Sequence, residues 1–298
     1  MKNQKPKVLV LFSGGLDSRL AVKILEEQAD VECINFVLPF GQGCCNEHCS
    51  LNFSQKENVR MKIVDCTKGK LLQEYINRIR KPKHGRGTGL NPCIDCRIFM
   101  LNLAREYAEK NKIDIIATGE VLGERPMSQH SKAMKVIEEE SGLKGRLLRP
   151  LSAKLLPETE AEKSGLIDRS KLLNISGRGR KRQIDLANKY QISYPSPGGG
   201  CLLCEPEFCN KLKPLLGRKI TEIDIELLKI GRHFPGMIVL GRNQQENEKL
   251  EKIKEKFGGI LITPQQPGPS ALIKDKNLEE KAKELIKKYS KKKIESFN

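Results

Sequence analysis

The chain has 298 residues, 31% of them charged, and its 54 Lys and Arg against 37 Asp and Glu give a formal net charge of +17. That length allows about two domains, and no apolar stretch reaches signal or membrane-spanning length, so we expect a cytoplasmic protein without a membrane partner. The charge excess favours a polyanionic partner, with a merely solvated basic surface as the alternative.

The first part of the chain alternates between strand-like and helix-like segments. The pattern predicts strands at 8–12, 31–38, 60–64 and 113–118, helices at 19–28, 71–80 and 96–111, and the entry to another short element at 55–58. This alternation is typical of a parallel sheet covered by helices on both faces, which binds ligands at the carboxyl ends of its strands. We therefore predict an α/β fold with a parallel sheet.

The pattern changes from about residue 212 onward. Short strands in GMIVLG and GGILIT are separated by a charged helix, QENEKLEKIKEKF, and a lysine-rich helix follows. Proline and glycine interrupt regular structure between 205 and 217. We predict a first domain at 1–210 and a smaller α+β domain at 211–298.

The stretch VLVLFSGGLDS, residues 8–18, predicts an anion site. A strand that ends in glycines before a helix exposes backbone N–H groups and the positive end of the helix dipole. The hydroxyls can donate to a phosphate, the glycines let it approach the backbone, and Asp17 can help to hold Mg²⁺. The alternative is an ordinary turn in which Asp17 and Ser18 only cap the helix. The candidate ligand residues are Ser13, Gly14, Gly15, Asp17 and Ser18.

Basic residues are concentrated in two loop-like segments. Between 144 and 183 there are eleven Lys or Arg against four acids, and the cluster at 79–86 contains no acid. A long, folded nucleic acid suits this spread better than a small anionic metabolite. The densest part is SGRGRKRQ, whose candidate RNA ligands are Arg178, Arg180, Lys181 and Arg182.

The ten cysteines are grouped. Thiols stay reduced in the cytoplasm, so metal or catalytic use is favoured over disulfides, while Cys33 and Cys66 lie in apolar segments and are predicted core residues. Thiolates suit Zn²⁺ or an iron–sulfur cluster, and a cysteine that begins a helix can also act as a nucleophile. The groups are Cys44, Cys45 and Cys49; Cys93 and Cys96; and Cys201 and Cys204, with Cys209 close behind. A metal site and incidental thiols are equally open for the first group.

Several motifs together resemble a known enzyme class. FSGGLDS is similar to the signature of the PP-loop ATP pyrophosphatase superfamily, while NPCIDC and ATGEVLGERPMSQ resemble elements of the tRNA thiouridylases, of the 2-thiouridylase and 4-thiouridine synthase type. The stretch from SGRGRKRQ through YPSPGGGCLLC resembles the closing region of thiouridylase-like proteins. LGRKITEIDIELLKIGRHF and MIVLGRNQQENEKL are similar to the RNA-binding module of NFACT-type proteins.

This resemblance implies a Rossmann-like fold of the adenine nucleotide alpha hydrolase type and ATP-dependent thiolation of tRNA. ATP would adenylate a uridine carbonyl oxygen and release pyrophosphate, and sulfur from an external donor would replace that oxygen. Residues 13–18 would hold the triphosphate with Mg²⁺, Asp17 taking part in catalysis, and adenine would lie near Phe36 and Gly119. A PP-loop ligase or amidotransferase acting on a small substrate and a non-catalytic RNA-binding protein are the alternatives.

The resemblance also implies two routes for the sulfur. In one, Cys93 carries a persulfide and Cys201 displaces the product, leaving a disulfide. In the other, which the presence of Cys96 favours, Cys93, Cys96 and Cys201 hold a [4Fe-4S] cluster with one open iron. If Cys204 also binds, the site is closed and the metal, iron–sulfur or Zn²⁺, is structural. The sequence leaves open which nucleotide is modified and whether the chain forms a homodimer.

Overall fold

The computed structural model describes residues 5–41, 47–195 and 200–298, with only the backbone of 47–51. The chain divides into two compact units, Met1–Glu205 and Pro206–Asn298. Within the described residues, no helix is both long and apolar enough to cross a membrane. The predicted boundary between residues 210 and 211 and the resemblance of the second unit to an NFACT module stay predictions.

The first unit contains a five-stranded parallel sheet with the order β3-β2-β1-β4-β5. This confirms the predicted α/β fold. Its elements are β1 (Lys7–Leu11), α1 (Leu16–Glu26), β2 (Asp30–Val37), α2 (Glu47–Glu57), β3 (Arg60–Asp65), α3 (Gly69–Arg80), α4 (Cys93–Asn111), β4 (Ile115–Thr118), α5 (Ser131–Glu140), β5 (Leu147–Leu148), α6 (Glu160–Lys163) and α7 (Lys181–Lys189).

The central strand β1 explains why helices cover both faces of this sheet. Successive side chains of a strand point to opposite faces. Val8 and Val10 pack into a core with α1, whereas Leu9 and Leu11 pack into a second core with α4. Because both faces of β1 are apolar, the strand is a continuous hydrophobic run rather than an alternating one. Cys33 lies in the first of these cores, and Cys66 is fully buried, as predicted for both.

Two helices begin one turn earlier than the sequence predicts. Helix α1 begins at Leu16, because the Arg19 amide already donates to the Gly15 carbonyl at 3.2 Å. Helix α4 begins at Cys93, because the Cys96 amide donates to the Pro92 carbonyl at 2.8 Å. The first turns carry polar and thiol groups that interrupt the apolar period, so the pattern places the start of each helix one turn too late.

The second unit is a four-stranded antiparallel sheet with helices on both faces, as the predicted smaller α+β domain requires. Residues of α10 and α11 pack in separate cores on opposite faces of the sheet. Its elements are α8 (Pro206–Leu212), α9 (Glu222–Leu228), β6 (Arg232–Phe234), β7 (Ile238–Leu240), α10 (Gln244–Phe257), β8 (Ile260–Ile262), β9 (Ala271–Ile273) and α11 (Glu279–Tyr289), with the strand order β6-β7-β9-β8.

Candidate functional site

Residues 13–18, the PP-loop, form a tight turn between β1 and the N-terminus of α1. Gly14 adopts a positive φ of 79°, a conformation that favours glycine. The Ser18 hydroxyl donates to the Gly15 carbonyl at 2.8 Å, and the Ser13 hydroxyl lies 3.3 Å from that of Ser18. The buried Arg19 guanidinium donates to the Gly14 carbonyl at 2.7 Å and holds the loop from behind. The loop therefore presents hydroxyls and a helix N-terminus, the groups that bind phosphate.

Gly119 brings the end of β4 against this loop. A Cβ atom at Gly119 would lie 2.6 Å from the carbonyl carbon of Asp17 and from the amide nitrogen of Ser18. No real side chain fits at that distance, so the backbone of β4 approaches the loop as closely as only glycine allows. Two of the segments predicted to bind the nucleotide thus meet at one edge of the sheet.

An ion cluster lies beside the loop. Arg180, at the N-cap of α7, places its Nη2 atom 3.2 Å from Asp17 Oδ2 and its Nε atom 3.4 Å from Glu124 Oε1. Burial raises the pKa of the Asp17 carboxyl, and it does so despite the opposing charges of Arg180 and Arg125. Burial also raises the pKa of Glu124, and the charge of Asp17 adds to this. Sequence reasoning identified Asp17 and Arg180 separately and missed Glu124.

The Cys93–Cys96 pair of α4 lies beside a group of three packed aromatic rings. The side-chain amide of Asn91 donates to Cys93 Sγ at 3.2 Å, and Cys96 Sγ lies 3.9 Å from the hydroxyl of Tyr75. The Tyr75 ring packs between Phe40 and Phe99, with ring centroids 6.3 and 5.9 Å away. Asn91 and Tyr75 were not predicted; the position of Asn91 two residues before Cys93 is the signal that could have identified it.

The segment with Cys201 and Cys204 lies beside the segment with Cys93 and Cys96. Cys201 forms a β-bridge with Gly41 and its thiol lies 3.4 Å from the Phe40 carbonyl, while the Leu90 amide donates to the Leu203 carbonyl at 2.8 Å. A 3-10 turn then closes through the Cys204 amide and the Cys201 carbonyl at 2.9 Å. Segments 90–96 and 201–204, far apart in the sequence, therefore lie side by side.

The thiols of Cys96 and Cys201 lie in surroundings that disfavour their thiolate forms. The pKa of Cys201 is raised to about 12, chiefly by burial and in part by the nearby Cys96, Cys204 and Cys93, although a hydrogen bond from the Leu203 backbone opposes the shift. Burial raises the pKa of Cys96 to about 11, although Arg97 and the Tyr75 hydroxyl oppose it. In the described parts of the chain, no three Cys, His, Asp or Glu side chains are arranged to hold a metal ion. None of the seven cysteines with described side chains forms a disulfide bond.

A buried ion network links α4, which carries Cys93 and Cys96, to the segment after β4 that contacts the PP-loop. Arg97 follows Cys96 and its Nε atom lies 3.1 Å from Oε1 of Glu120, which follows Gly119. Arg149 donates from Nε to the other Glu120 oxygen at 3.0 Å and also pairs with Glu138. Burial alone would raise the pKa of Glu120, but the charges of Arg97 and Arg149 overcome it and hold the pKa below its usual value.

The remaining predicted residues lie as follows. Phe36 is partly buried near the end of β2 and packs against the core that contains Leu11. Arg178, Lys181 and Arg182 are exposed, and Arg182 donates to the Asn174 side chain at 2.8 Å. Cys44 and Cys45 fall outside the described residues, as does the side chain of Cys49. The roles of these residues stay predictions.

Residues 3–154 match a protein-family model described as thiamine biosynthesis protein (ThiI). No curated protein sequence matches the chain. One similar solved structure is that of a predicted subunit of tRNA methyltransferase from Methanocaldococcus jannaschii, 16% identical with a TM-score of 0.36, covering 61% of this chain and 75% of that one. A likeness this distant carries no functional argument. The family model spans half of the sequence and includes both the PP-loop and the Cys93–Cys96 pair, and the chain therefore belongs to the ThiI family.

Proposed function

We propose that this protein is an ATP-dependent tRNA sulfurtransferase that adenylates a uridine carbonyl oxygen and then replaces that oxygen with sulfur. Membership in the ThiI family supports tRNA sulfur transfer at the level of the family. The uridine target, the order of the two steps and the cytoplasmic location are our proposals for this chain.

One observation carries the proposal. The ion pair between Arg97 and Glu120 joins the residue after Cys96 to the residue after Gly119, and Gly119 in turn contacts the PP-loop. The segment that carries Cys93 and Cys96 and the loop suited to phosphate are therefore linked through one ion pair and one close backbone contact. A ligase acting on a small substrate would need the loop and not the thiols, and a binding protein would need neither.

The first step uses the PP-loop. The carbonyl oxygen of the base attacks the α-phosphate of ATP, an O-adenylate forms, and pyrophosphate leaves with the electron pair of the broken P–O bond. The hydroxyls of Ser13 and Ser18 and the N-terminus of α1 are placed to bind the phosphates. Adenine is expected near Phe36 and Gly119.

The residues beside the loop fit a magnesium ion. Asp17 Oδ1 and Glu124 Oε2 are buried and lack a hydrogen-bond partner within the described structure, and carboxylate oxygens are the ligands that Mg²⁺ prefers. These two side chains would hold the ion, which supplies neutralisation of the triphosphate charge. Asp17 thereby takes the catalytic role expected from the sequence.

The second step uses the thiols. In the persulfide route, the terminal sulfur of a Cys93 persulfide attacks the activated carbon and AMP leaves, so that C–S replaces C–O. Cys201 then attacks Cys93 Sγ, the S–S bond breaks, and the thiolated base leaves with its electron pair as a Cys93–Cys201 disulfide forms. Cys93, Cys96 and Cys201 are our candidates to deliver that sulfur, which must come from an external donor. Sulfur ligands suit an iron–sulfur cluster in kind, but the described thiols do not form a metal-ligating arrangement, so we derive no step through a cluster.

The polyanionic substrate is proposed from charge. Arg178, Lys181 and Arg182 are exposed basic side chains in the first unit, and the second unit is also basic. Such side chains bind phosphate backbones without sequence preference. The likeness of the second unit to an RNA-binding module supports the same partner.

Pyrophosphate release tests the proposal. Purified protein with ATP and Mg²⁺ is expected to release pyrophosphate faster when bulk tRNA is added, because the base supplies the attacking oxygen. Release without stimulation by tRNA would favour the small-substrate ligase, and no release with either would favour the binding protein. Mass spectrometry of tRNA nucleosides from cells with and without the protein supplies the second readout; an unchanged thionucleoside profile contradicts thiolation.

Metal analysis separates the routes for sulfur. Iron and sulfide are measured in anaerobically purified protein and in the variants Cys96→Ala and Cys204→Ala. A [4Fe-4S] cluster held by Cys93, Cys96 and Cys201 is expected to be lost in Cys96→Ala and kept in Cys204→Ala. The reverse pattern contradicts that assignment, absence of iron favours the persulfide route, and zinc in place of iron favours a structural metal.

A further inference from the structure

Arg180 differs from the other basic residues of its segment. Arg178, Lys181 and Arg182 are exposed, and the partner of Arg182 is the surface residue Asn174. The Arg180 side chain is instead 29% exposed and turns inward to Asp17, a residue 163 positions earlier in the chain. A side chain that only contacts RNA does not require an ion pair with a carboxylate of the PP-loop.

The cluster around Arg180 is incompletely hydrogen-bonded. Three of its buried atoms have no hydrogen-bond partner in the described structure: Asp17 Oδ1, Glu124 Oε2 and Arg180 Nε. Arg180 Nε lies 3.4 Å from Glu124 Oε1, close enough for an ion pair but not aligned for a hydrogen bond. The two carboxylate oxygens are those proposed above to hold Mg²⁺, and the third atom, Arg180 Nε, is a charged donor that an anionic ligand oxygen would satisfy.

The position of the cluster identifies the ligand by its chemistry. Asp17 is the second residue of α1, so the cluster stands at the end of the helix that attracts anions. A guanidinium is always charged and donates in a planar fork that matches phosphate oxygens. Arg125 is a second cation near enough to influence both carboxyls. Two guanidinium groups beside a phosphate-binding turn suit the β- and γ-phosphates of a nucleoside triphosphate.

We propose that Arg180 is a phosphate ligand of the nucleotide site, which exchanges its bond to Asp17 for an oxygen of the departing pyrophosphate when a triphosphate binds in the PP-loop. This inference rests on the proposed function for the identity of the nucleotide. The exchange leaves Arg180 paired throughout, because one anionic partner replaces another. It also frees Asp17 to meet the cation that accompanies the triphosphate. Arg180 is thus assigned to the ATP site and its three basic neighbours to RNA.

Binding measurements without turnover test this assignment. The variants are Arg180→Ala, Arg180→Lys and the matched control Arg182→Ala, which removes the same charge two residues away. Isothermal titration calorimetry measures the affinity of each full-length protein for ATP with Mg²⁺, for inorganic pyrophosphate and for AMP. Fluorescence anisotropy measures the affinity for bulk tRNA.

Arg180→Ala is expected to weaken binding of ATP and pyrophosphate by about 10- to 100-fold, the loss that corresponds to charge-assisted hydrogen bonds. AMP, which lacks the departing phosphates, is expected to bind as it does to the wild type, and affinity for tRNA is expected to stay within about twofold. Arg180→Lys should recover part of the loss, since it keeps the charge without the fork. Arg182→Ala should change only tRNA binding.

Two results would overturn the proposal: unchanged ATP affinity in Arg180→Ala, or equal losses for ATP and AMP, which would indicate a purely structural role. If the alanine variant does not fold, Arg180→Gln, which keeps part of the aliphatic side chain and a polar end without the charge, is measured against the same three ligands. A wild-type protein that binds ATP but releases no pyrophosphate with tRNA would contradict the proposed function and leave this comparison intact.

Discussion

Burial is the largest influence on the thiols of Cys96 and Cys201, and it favours the protonated form of each. The cationic neighbour of Cys96, Arg97, is already engaged by Glu120, so it only partly opposes the effect. A thiolate is the form that attacks an electrophile or binds a metal. Sulfur chemistry at these two residues therefore requires proton removal that the surrounding protein alone does not favour at neutral pH.

The alkylation rates of these thiols should show how strongly burial disfavours the thiolate form. In chelator-treated protein, the rates at which Cys96 and Cys201 react with iodoacetamide are expected to rise with pH up to about 9.5 without a plateau, because thiolate forms only near a pKa of about 11 for Cys96 and about 12 for Cys201. Peptide mass spectrometry gives the rate for each residue. In the urea-unfolded chain the rates of the same thiols should be half-maximal near pH 8.5, as for ordinary cysteines. A half-maximal rate near pH 8.5 in the folded protein would contradict the role of burial.

At the scale of elements, the sequence predicts what depends on local pattern. The apolar run of β1 and the glycines after it locate the PP-loop. The alternation of strands and helices predicts a parallel sheet, and in such a sheet the end of β4 lies at the same edge as this loop. Strand β9 was not predicted: β7 and β8 are equally short but have glycines within two residues that mark them in the sequence, and β9 has none. The pairing of Asp17 with Arg180 and of Arg97 with Glu120 depends on how strands and helices assemble, and no local pattern encodes it.

The network around Glu120 ties β4 to α4, and its removal should destabilise the protein. Glu120→Gln leaves the buried guanidinium of Arg149 without its full partner, so the free energy of unfolding is expected to fall by about 3 kcal/mol at pH 7. The pKa of Glu120 is lowered in the folded state, so its stabilisation is present above the unfolded value of about 4.5 and is lost as the pH falls below it. The variant and the wild type should therefore converge in acid.

Urea unfolding at pH 7 and at lower pH measures this difference. Glu139→Gln is the matched control, because Glu139 makes only an exposed pair with Lys144 and should cost less than about 1 kcal/mol. The double variant Glu120→Leu with Arg149→Met removes the two most deeply buried charges but takes one partner each from Arg97 and Glu138, so it should recover only part of the loss. Equal destabilisation by the two glutamine variants would show that the buried network contributes no more to stability than an exposed ion pair.

At the scale of the whole molecule, the positive charge is divided between the two units. Residues 1–205 carry a net charge of +10 and residues 206–298 a net charge of +7. The lysines of α10 alternate with glutamates, so that helix is locally balanced, whereas residues 287–293 carry five lysines and no acid. A polyanion should therefore contact the 178–182 segment and the end of α11 rather than α10.

The salt dependence of tRNA binding tests this division. Three triple alanine variants remove equal charge from exposed side chains: Arg178, Lys181 and Arg182; Lys287, Lys288 and Lys291; and, as the control, Lys249, Lys252 and Lys256. Each lost phosphate contact should reduce the slope of log affinity against log salt by about 0.7–0.9, so either of the first two variants should flatten it and both together should flatten it further. The α10 control should leave the slope unchanged, because its lysines stand beside acids that repel the phosphates. If the salt-dependence slope falls equally in all three variants, tRNA affinity depends on the total charge of the protein and not on the position of the basic residues.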